Sequence, residues 1–405
     1  MMYHAYQTHS DLMWPVRTLS RLSVPFLEGQ GSDGTILPAQ RQAAAACKVL
    51  ELAEVTHRRP AWQIDAVTVA GETVPVTEQA VLVTPFATLL RFRKADGTVQ
   101  PKGLVVAPMS GHFATLLRDT VRTLVIDHDV HVTDWHNIRD VPLEEGRFGL
   151  DEYTDHIVTF LEAMGPGANV VAVCQPCVAA LAAVAMMSED GNAATPASLT
   201  LMAGPIDCRI SPTAVNLLAT SKPIAWFEKN LISTVPWRHG GAGRRVYPGF
   251  MQLSAFMSMN KERHADAFKA YYQNLVADER EKAEVTRAFY AEYMAVSDLS
   301  ADFYLETVRL VFQDHALPRG ELTVHGRRID LKAIRRTAIV TIEGEKDDIC
   351  AIGQTLAAHD LCTGLRPYMR THYVQAGVGH YGVFSGRRWQ NQIYPLVRGV
   401  IHVSQ

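Results

Sequence analysis

Four short, largely apolar runs recur through the middle of this chain, at residues 103–107, 130–135, 168–173 and 198–203, with helix-like stretches between them. A strand covered on both faces reads as such a run, and parallel neighbours need a long crossover, usually a helix. The spacing therefore predicts a doubly wound, mostly parallel sheet, with helices over 151–164 and 178–187. The rhythm resumes late in the chain, as a strand at 337–342, a helix at 354–361, a strand at 372–375 and a last helix over 388–403. Upstream, 40–58 is a helix candidate, and 62–93 holds short β-rich runs punctuated by Gly71 and Pro75. Those runs suit antiparallel strands leading into the sheet.

Residues 211–333 break the pattern. They are rich in Trp, Phe, Tyr and Met, carry a Gly/Arg-rich loop at 240–245, and place Phe289 and Tyr293, then Leu305, Val308 and Phe312, at helical spacing. An inserted cap is expected there. The resulting division is an N-terminal helical segment (1–60), a core built from 61–210 and 334–405, and the cap (211–333).

Several function classes are disfavoured by composition. The 39 basic and 42 acidic residues are spread along the chain and leave a net charge of -3, with no basic block to follow a phosphate backbone, so nucleic acid is not an expected partner. The first residues lack the basic and apolar regions of a secretory signal. The longest apolar stretch, 178–187, falls short of the about 20 residues a membrane helix needs. A cytoplasmic protein without a transmembrane segment is expected, and homo-oligomerisation is left open. Six cysteines in 405 residues suit free thiols in a reducing compartment. No metal is expected, because neither H-E-x-x-H nor a spaced Cys/His ligand set occurs.

The segment from Asn169 to Cys177 runs an apolar strand directly into a helix, with Cys174 at the junction. Such a position resembles the nucleophile elbow of α/β-hydrolases, where small flanking residues let a tight turn lift the nucleophile above the sheet. Here the flanks are Ala172 and Pro176, and proline suits a first helical turn. The helix terminus favours thiolate over thiol. On residue type alone a buried structural cysteine is the commoner case, and the junction is what turns the reading towards function.

In that superfamily the acid and then the base follow the nucleophile, each after a later strand. The run ending Glu343-Gly344-Glu345-Lys346-Asp347-Asp348-Ile349 offers Asp347 as the acid, with Asp348 a rival that spacing does not exclude; either could simply cap the next helix. The base is His380, in the glycine frame Gly377-Val378-Gly379-His380-Tyr381-Gly382. For the oxyanion, the expected donors are the Gln175 amide and the loop after an earlier strand, with Ser110 and Gly111. An ordinary strand-to-helix turn is the bland alternative for that loop.

Five separate motifs go beyond a superfamily: Val-Cys-Gln-Pro at 173–176, Ala107 to Arg118, Thr133-Asp-Trp135 with Arg139-Asp-Val-Pro142, Glu343 to Ile349, and Gly377 to Phe384. Together they resemble the intracellular polyhydroxybutyrate depolymerase family over most of the chain. The resemblance implies an α/β-hydrolase fold, a Cys174–Asp347–His380 triad, and cleavage of poly(3-hydroxybutyrate) at the storage-granule surface, or of its oligomers, through an acyl-cysteine. No cofactor is implied, with water, or a thiol such as coenzyme A, as acyl acceptor. His112 and the cap aromatics Trp226, Phe227, Trp237, Tyr247, Phe250 and Phe256 are candidates for touching the polyester.

Cys177 departs from the family pattern, which expects threonine or another small residue. It also makes Cys174-Gln-Pro-Cys177 a literal C-x-x-C, so a thiol-disulfide oxidoreductase is the first rival. A polyhydroxyalkanoate synthase, expected to flank its cysteine with glycines, is the second. A granule-coating protein on an inactive hydrolase fold is the third.

Overall fold

A computed structural model of the chain describes residues 2–29 and 37–405; Met1 and residues 30–36 of the expected N-terminal segment lie outside them. The β-rich region forms β1 (Ala66–Val69), β2 (Glu72–Val83) and β3 (Ala87–Lys94), paired antiparallel. Ala70 and Gly71 both take positive φ (50° and 88°), which is the turn geometry that a two-residue hairpin needs. β3 then pairs antiparallel with β5 (Asp129–Trp135), and from there the sheet is parallel through β4 (Lys102–Val106), β6 (Ala168–Val173) and β7 (Ser198–Met202).

Between β7 and the next long strand lie five two- or three-residue strands, β8 (Ser233–Thr234), β9 (Arg245–Tyr247), β10 (Leu299–Ser300), β11 (Thr323–Val324) and β12 (Arg327–Arg328). The main sheet is completed by β13 (Ala338–Gly344) and β14 (Arg370–Gln375). Its order, β1-β2-β3-β5-β4-β6-β7-β13-β14, is that of the α/β-hydrolase fold. Every residue of β6 and β7 is buried, and the polar residues Asn169 and Ser198 pair inside the sheet, Ser198 Oγ donating to Asn169 Oδ1 at 2.8 Å.

Helices α1 (Met2–Leu27) and α2 (Pro38–Leu52) precede the sheet, and α3 (Arg118–Val125), α4 (Leu150–Met164) and α5 (Cys177–Glu189) make its crossovers. The alanine-rich α5 is buried almost all round, as its composition implied. Helix α2 stops at Leu52 rather than reaching residue 58. The following chain is diverted into pairing: Thr56 N donates to Met294 O at 2.9 Å, and Val296 N to Thr56 O at 2.8 Å. The helix expected from 354 starts at Ala357 instead. The buried Glu343 carboxylate accepts the N–H groups of Gly353, Thr355 and Leu356, and so holds a turn there.

The inserted segment carries α6 (Ala214–Thr220), α7 (Ile224–Leu231), α8 (Gly249–Met259), α9 (Lys261–Val276), α10 (Arg280–Tyr293) and α11 (Ala301–Glu306). It has a small apolar core of its own, where Leu52 of α2 packs with Leu253, Tyr271, Tyr290 and Tyr293. The N-terminal helices therefore belong structurally to this layer. Tyr3 of α1 reinforces the contact by donating to the buried Asp298 carboxylate at 2.6 Å. Among the described residues, no helix is long and apolar enough to cross a membrane.

Candidate active site

Strand β6 ends at Val173 and α5 begins at Cys177, so the turn between them has three residues. Cys174 takes φ +67° in that turn, a conformation that costs a non-glycine residue about 1–3 kcal/mol and persists only when its surroundings impose it. The restraint is visible. Cys174 N donates to Met202 O of β7 at 2.7 Å, and Cys174 O accepts from Cys177 N at 3.2 Å. Pro176, with φ -67°, sits just ahead of the helix, where no amide proton is missed. Gly204 abuts the Cys177 side chain so closely that an added Cβ would overlap it. The elbow's close packing is thus supplied by a glycine on the neighbouring strand end, not by one beside the nucleophile.

Asp347 follows β13 and His380 follows β14. His380 Nδ1 donates to Asp347 Oδ2 at 2.8 Å, and both side chains are buried. The other carboxylate oxygen, Oδ1, accepts from Ile349 N at 2.9 Å and Cys350 N at 2.8 Å. One aspartate therefore serves as both turn cap and histidine partner. Asp348, the rival by spacing, is exposed and points to the neighbouring cavity. Burial disfavours the His380 imidazolium, yet the negative charge of the Cys174 sulfur and of the Asp347 carboxylate beside it holds its pKa well above the ordinary value. Cys174, Asp347 and His380 thus come together, each just beyond the end of a parallel strand, β6, β13 and β14 respectively.

The loop after β4 is held from three sides. Ala107 N donates to Thr133 Oγ1 at 2.9 Å, while Ala107 O accepts from Trp135 Nε1 (2.8 Å) and from the Tyr153 hydroxyl (2.9 Å). The amide of this loop that faces Gln175 is that of Met109, 3.4 Å from Gln175 Oε1. Sequence spacing had pointed to Ser110 and Gly111. Ser110 is half-buried; Gly111, at φ +90°, gives its carbonyl to Ser297 N at 2.9 Å and lies against Gln252, where a side chain would clash. Met109 was not among the residues singled out from the sequence, because its apolar side chain carries no signal for where its amide points.

A cavity of about 760 Å³ opens beside the triad, bounded by His380, Tyr381, Asp348 and Lys346 below and by Phe256, Arg263, Phe289 and Tyr293 of α8, α9 and α10 above. Of the aromatic candidates, Phe256 alone lines it. Trp226, Phe227, Trp237, Tyr247 and Phe250 do not. Phe227 and Tyr247 are buried in the cap, with Tyr247 stacked on Tyr304 at 3.9 Å; Phe250 stacks on Tyr6, and Trp237 is 88% exposed beside the 240–243 loop. Aromatic composition marks the cap but not which helix face meets the cavity. His112 does not line it either. It is buried between Phe256 and Tyr293, donates from Nε2 to Tyr293 O at 3.1 Å, and has its pKa lowered to about 4 by burial, so it acts as a neutral strut between the loop and α10.

Cys177 is fully buried, with its thiol directed at Ala172 O (3.4 Å) and Met202 O (3.9 Å) and its pKa pushed up by burial. A resolving cysteine must reach its partner as a thiolate. This geometry argues against the oxidoreductase alternative. Cys208, Cys350 and Cys362 are likewise buried, with thiols pushed up by desolvation. Brief treatment of the folded protein with iodoacetamide is accordingly expected to label Cys174, and the half-buried Cys47 more slowly, but none of the other four. Peptide mapping reads this out, and early labelling of Cys177 would contradict the geometry. Among the described residues, no group of three or more His, Cys, Asp or Glu is placed to hold a metal ion.

No curated protein matches the chain. Among solved structures it is similar to a 2-hydroxy-6-oxo-6-phenylhexa-2,4-dienoate hydrolase from Rhodococcus sp. strain RHA1 (13% identity, 82% of this chain and 100% of that one, TM-score 0.45). It is also similar to an epoxide hydrolase from Bacillus megaterium (11%, 83% and 99%, TM-score 0.45) and to an esterase from Thermogutta terrifontis (12%, 83% and 98%, TM-score 0.40). The family model described as PHB de-polymerase C-terminus matches residues 203–405. That stretch is half of the chain and contains the cap, Asp347 and His380, and the protein belongs to this family.

Proposed function

We propose that the protein is a polyhydroxyalkanoate depolymerase that cleaves the ester bonds of poly(3-hydroxybutyrate) or its oligomers through an acyl-cysteine. The observation that carries the reading is Cys174 held at φ +67° on the β6–α5 turn, next to a buried His380 whose Nδ1 donates to Asp347 Oδ2 at 2.8 Å. His380, held by Asp347, takes the Cys174 proton, and the thiolate attacks the ester carbonyl carbon. The Gln175 amide is one donor for the oxyanion, and the Met109 amide becomes the second once the substrate oxygen displaces Gln175 Oε1 from it. As the tetrahedral intermediate collapses, His380 protonates the departing hydroxyl oxygen. Water, deprotonated by His380, then attacks the thioester, and Cys174 leaves to regain its starting state. The substrate class rests on family membership and on the largely apolar, aromatic-walled cavity beside His380, which suits a polyester segment.

Incubation of the purified protein with amorphous poly(3-hydroxybutyrate) granules, with and without coenzyme A, tests the reading by mass spectrometry of the products. Free 3-hydroxybutyrate or its oligomers are expected in both arms. A 3-hydroxybutyryl thioester in the second arm alone would move the acyl acceptor from water to the thiol. Release of neither would overturn the substrate assignment.

A further inference from the structure

A second cavity, of about 440 Å³, lies under the N-terminal helix, on the far side of α8 from the active-site cavity. Its walls include Phe250, Leu253 and Met257 of α8, Phe268 of α9, and Met294. Positions 250, 253 and 257 share one helix face, whereas Phe256, Met259 and Asn260 line the active-site cavity from another. The two cavities thus share a wall one helix thick.

One cation lines this apolar chamber. Arg17 of α1 has a side chain only 13% exposed and forms no hydrogen bond among the described residues; its Nε is buried without any partner. Its one ion pair among the described residues is a long one, with Glu54 Oε1 3.9 Å from Nη1, while the other oxygen of that carboxylate accepts from Arg21. Guanidinium presents five N–H donors in a planar fork matched to a carboxylate. Structures seldom leave such donors unmet away from water. An apolar chamber with a single under-used guanidinium at its side is the complement of one kind of small molecule, a monocarboxylate with an aliphatic chain.

We propose that this cavity binds a medium-chain carboxylate, with the head group on Arg17 and the chain against Leu253, Met257 and Phe268. A charge-assisted bidentate pair fixes the head group. The chain fills a volume within the range of about 300–1,000 Å³ typical of small-molecule sites. The site is independent of the ester chemistry, because none of its lining residues takes part in that chemistry.

Isothermal titration of the full chain with octanoate, and in parallel with octanol, tests the assignment. Octanoate is expected to bind at one site and at least tenfold more tightly than octanol. Arg17→Gln should raise the octanoate Kd at least tenfold and erase the preference over the alcohol, while leaving ester hydrolysis unchanged. Met257→Trp, which places an indole in the chamber, should weaken both ligands. Equal binding of acid and alcohol to the unaltered protein, an absence of saturable octanoate binding, or an octanoate Kd unaffected by Arg17→Gln in a protein with an unchanged melting curve would each overturn the proposal.

Discussion

Cys174→Ala is expected to lower kcat for ester cleavage by on the order of 10⁶, the scale on which removal of a triad nucleophile acts, while the protein stays folded. What remains is the contribution of the oxyanion donors and substrate binding, which are untouched by the change. Alanine keeps the backbone at φ +67° and deletes only the sulfur, so the hydrogen bonds from Cys174 N to Met202 O and from Cys177 N to Cys174 O are retained. The melting temperature should therefore shift little. Initial rates on a soluble 3-hydroxybutyrate ester, together with a thermal melt, give both quantities. Near-normal turnover in the variant would remove Cys174 from the mechanism.

Asp347→Asn should lower kcat by about 10⁴, against no more than a few-fold for Asp348→Asn. The asymmetry follows from where the hydrogen bonds lie. Two backbone N–H groups, of Ile349 and Cys350, already point at Oδ1 of Asp347. The carbonyl oxygen of an asparagine will stay with them, which turns its NH₂ towards His380 Nδ1. Imidazole must then accept at Nδ1 and carry its proton on Nε2, facing Cys174 in the form that cannot take the thiol proton. Asp348 has no such tie and lies exposed at the cavity edge. Comparison of kcat for the two variants on the same soluble ester decides between them, and equal losses would refute the assignment of Asp347.

The sheet and the strand-to-helix position of Cys174 were legible in advance because their signals are local. A strand buried on both faces reads as a largely apolar run, as β6 does with Asn169 its one polar residue, and the thiol occupies the turn where that strand feeds a helix. The same holds for the strand-then-glycine-loop pattern that presents His380. The burial of α5 could be read for a similar reason, and Gly71 marks the β1–β2 turn, whereas Pro75, read as a second break, lies within β2.

Other features depended on partners distant in the chain. Helix α2 was read too long because nothing in residues 53–58 records that Thr56 will pair beside Ala295. Trp226 and Trp237 are as aromatic as Phe289 and Tyr293, yet only the second pair lines the cavity beside His380, since the packing of α8, α9 and α10 decides which side of each helix is turned inward. Met109 owes its place opposite Gln175 to restraints on Ala107 from Thr133, Trp135 and Tyr153, three side chains that converge from two later elements.

By itself, then, the sequence determined the alternation of strands and helices and the order nucleophile, acid, base, because hydrophobic period and turn chemistry are written residue by residue. Tertiary structure alone decided which aspartate holds His380, which loop amide faces Gln175, and that the Cys177 thiol is buried against the carbonyls of Ala172 and Met202. Each of these is a contact between segments that the chain brings together only after the sheet has closed, and a contact of that kind has no local signature to read.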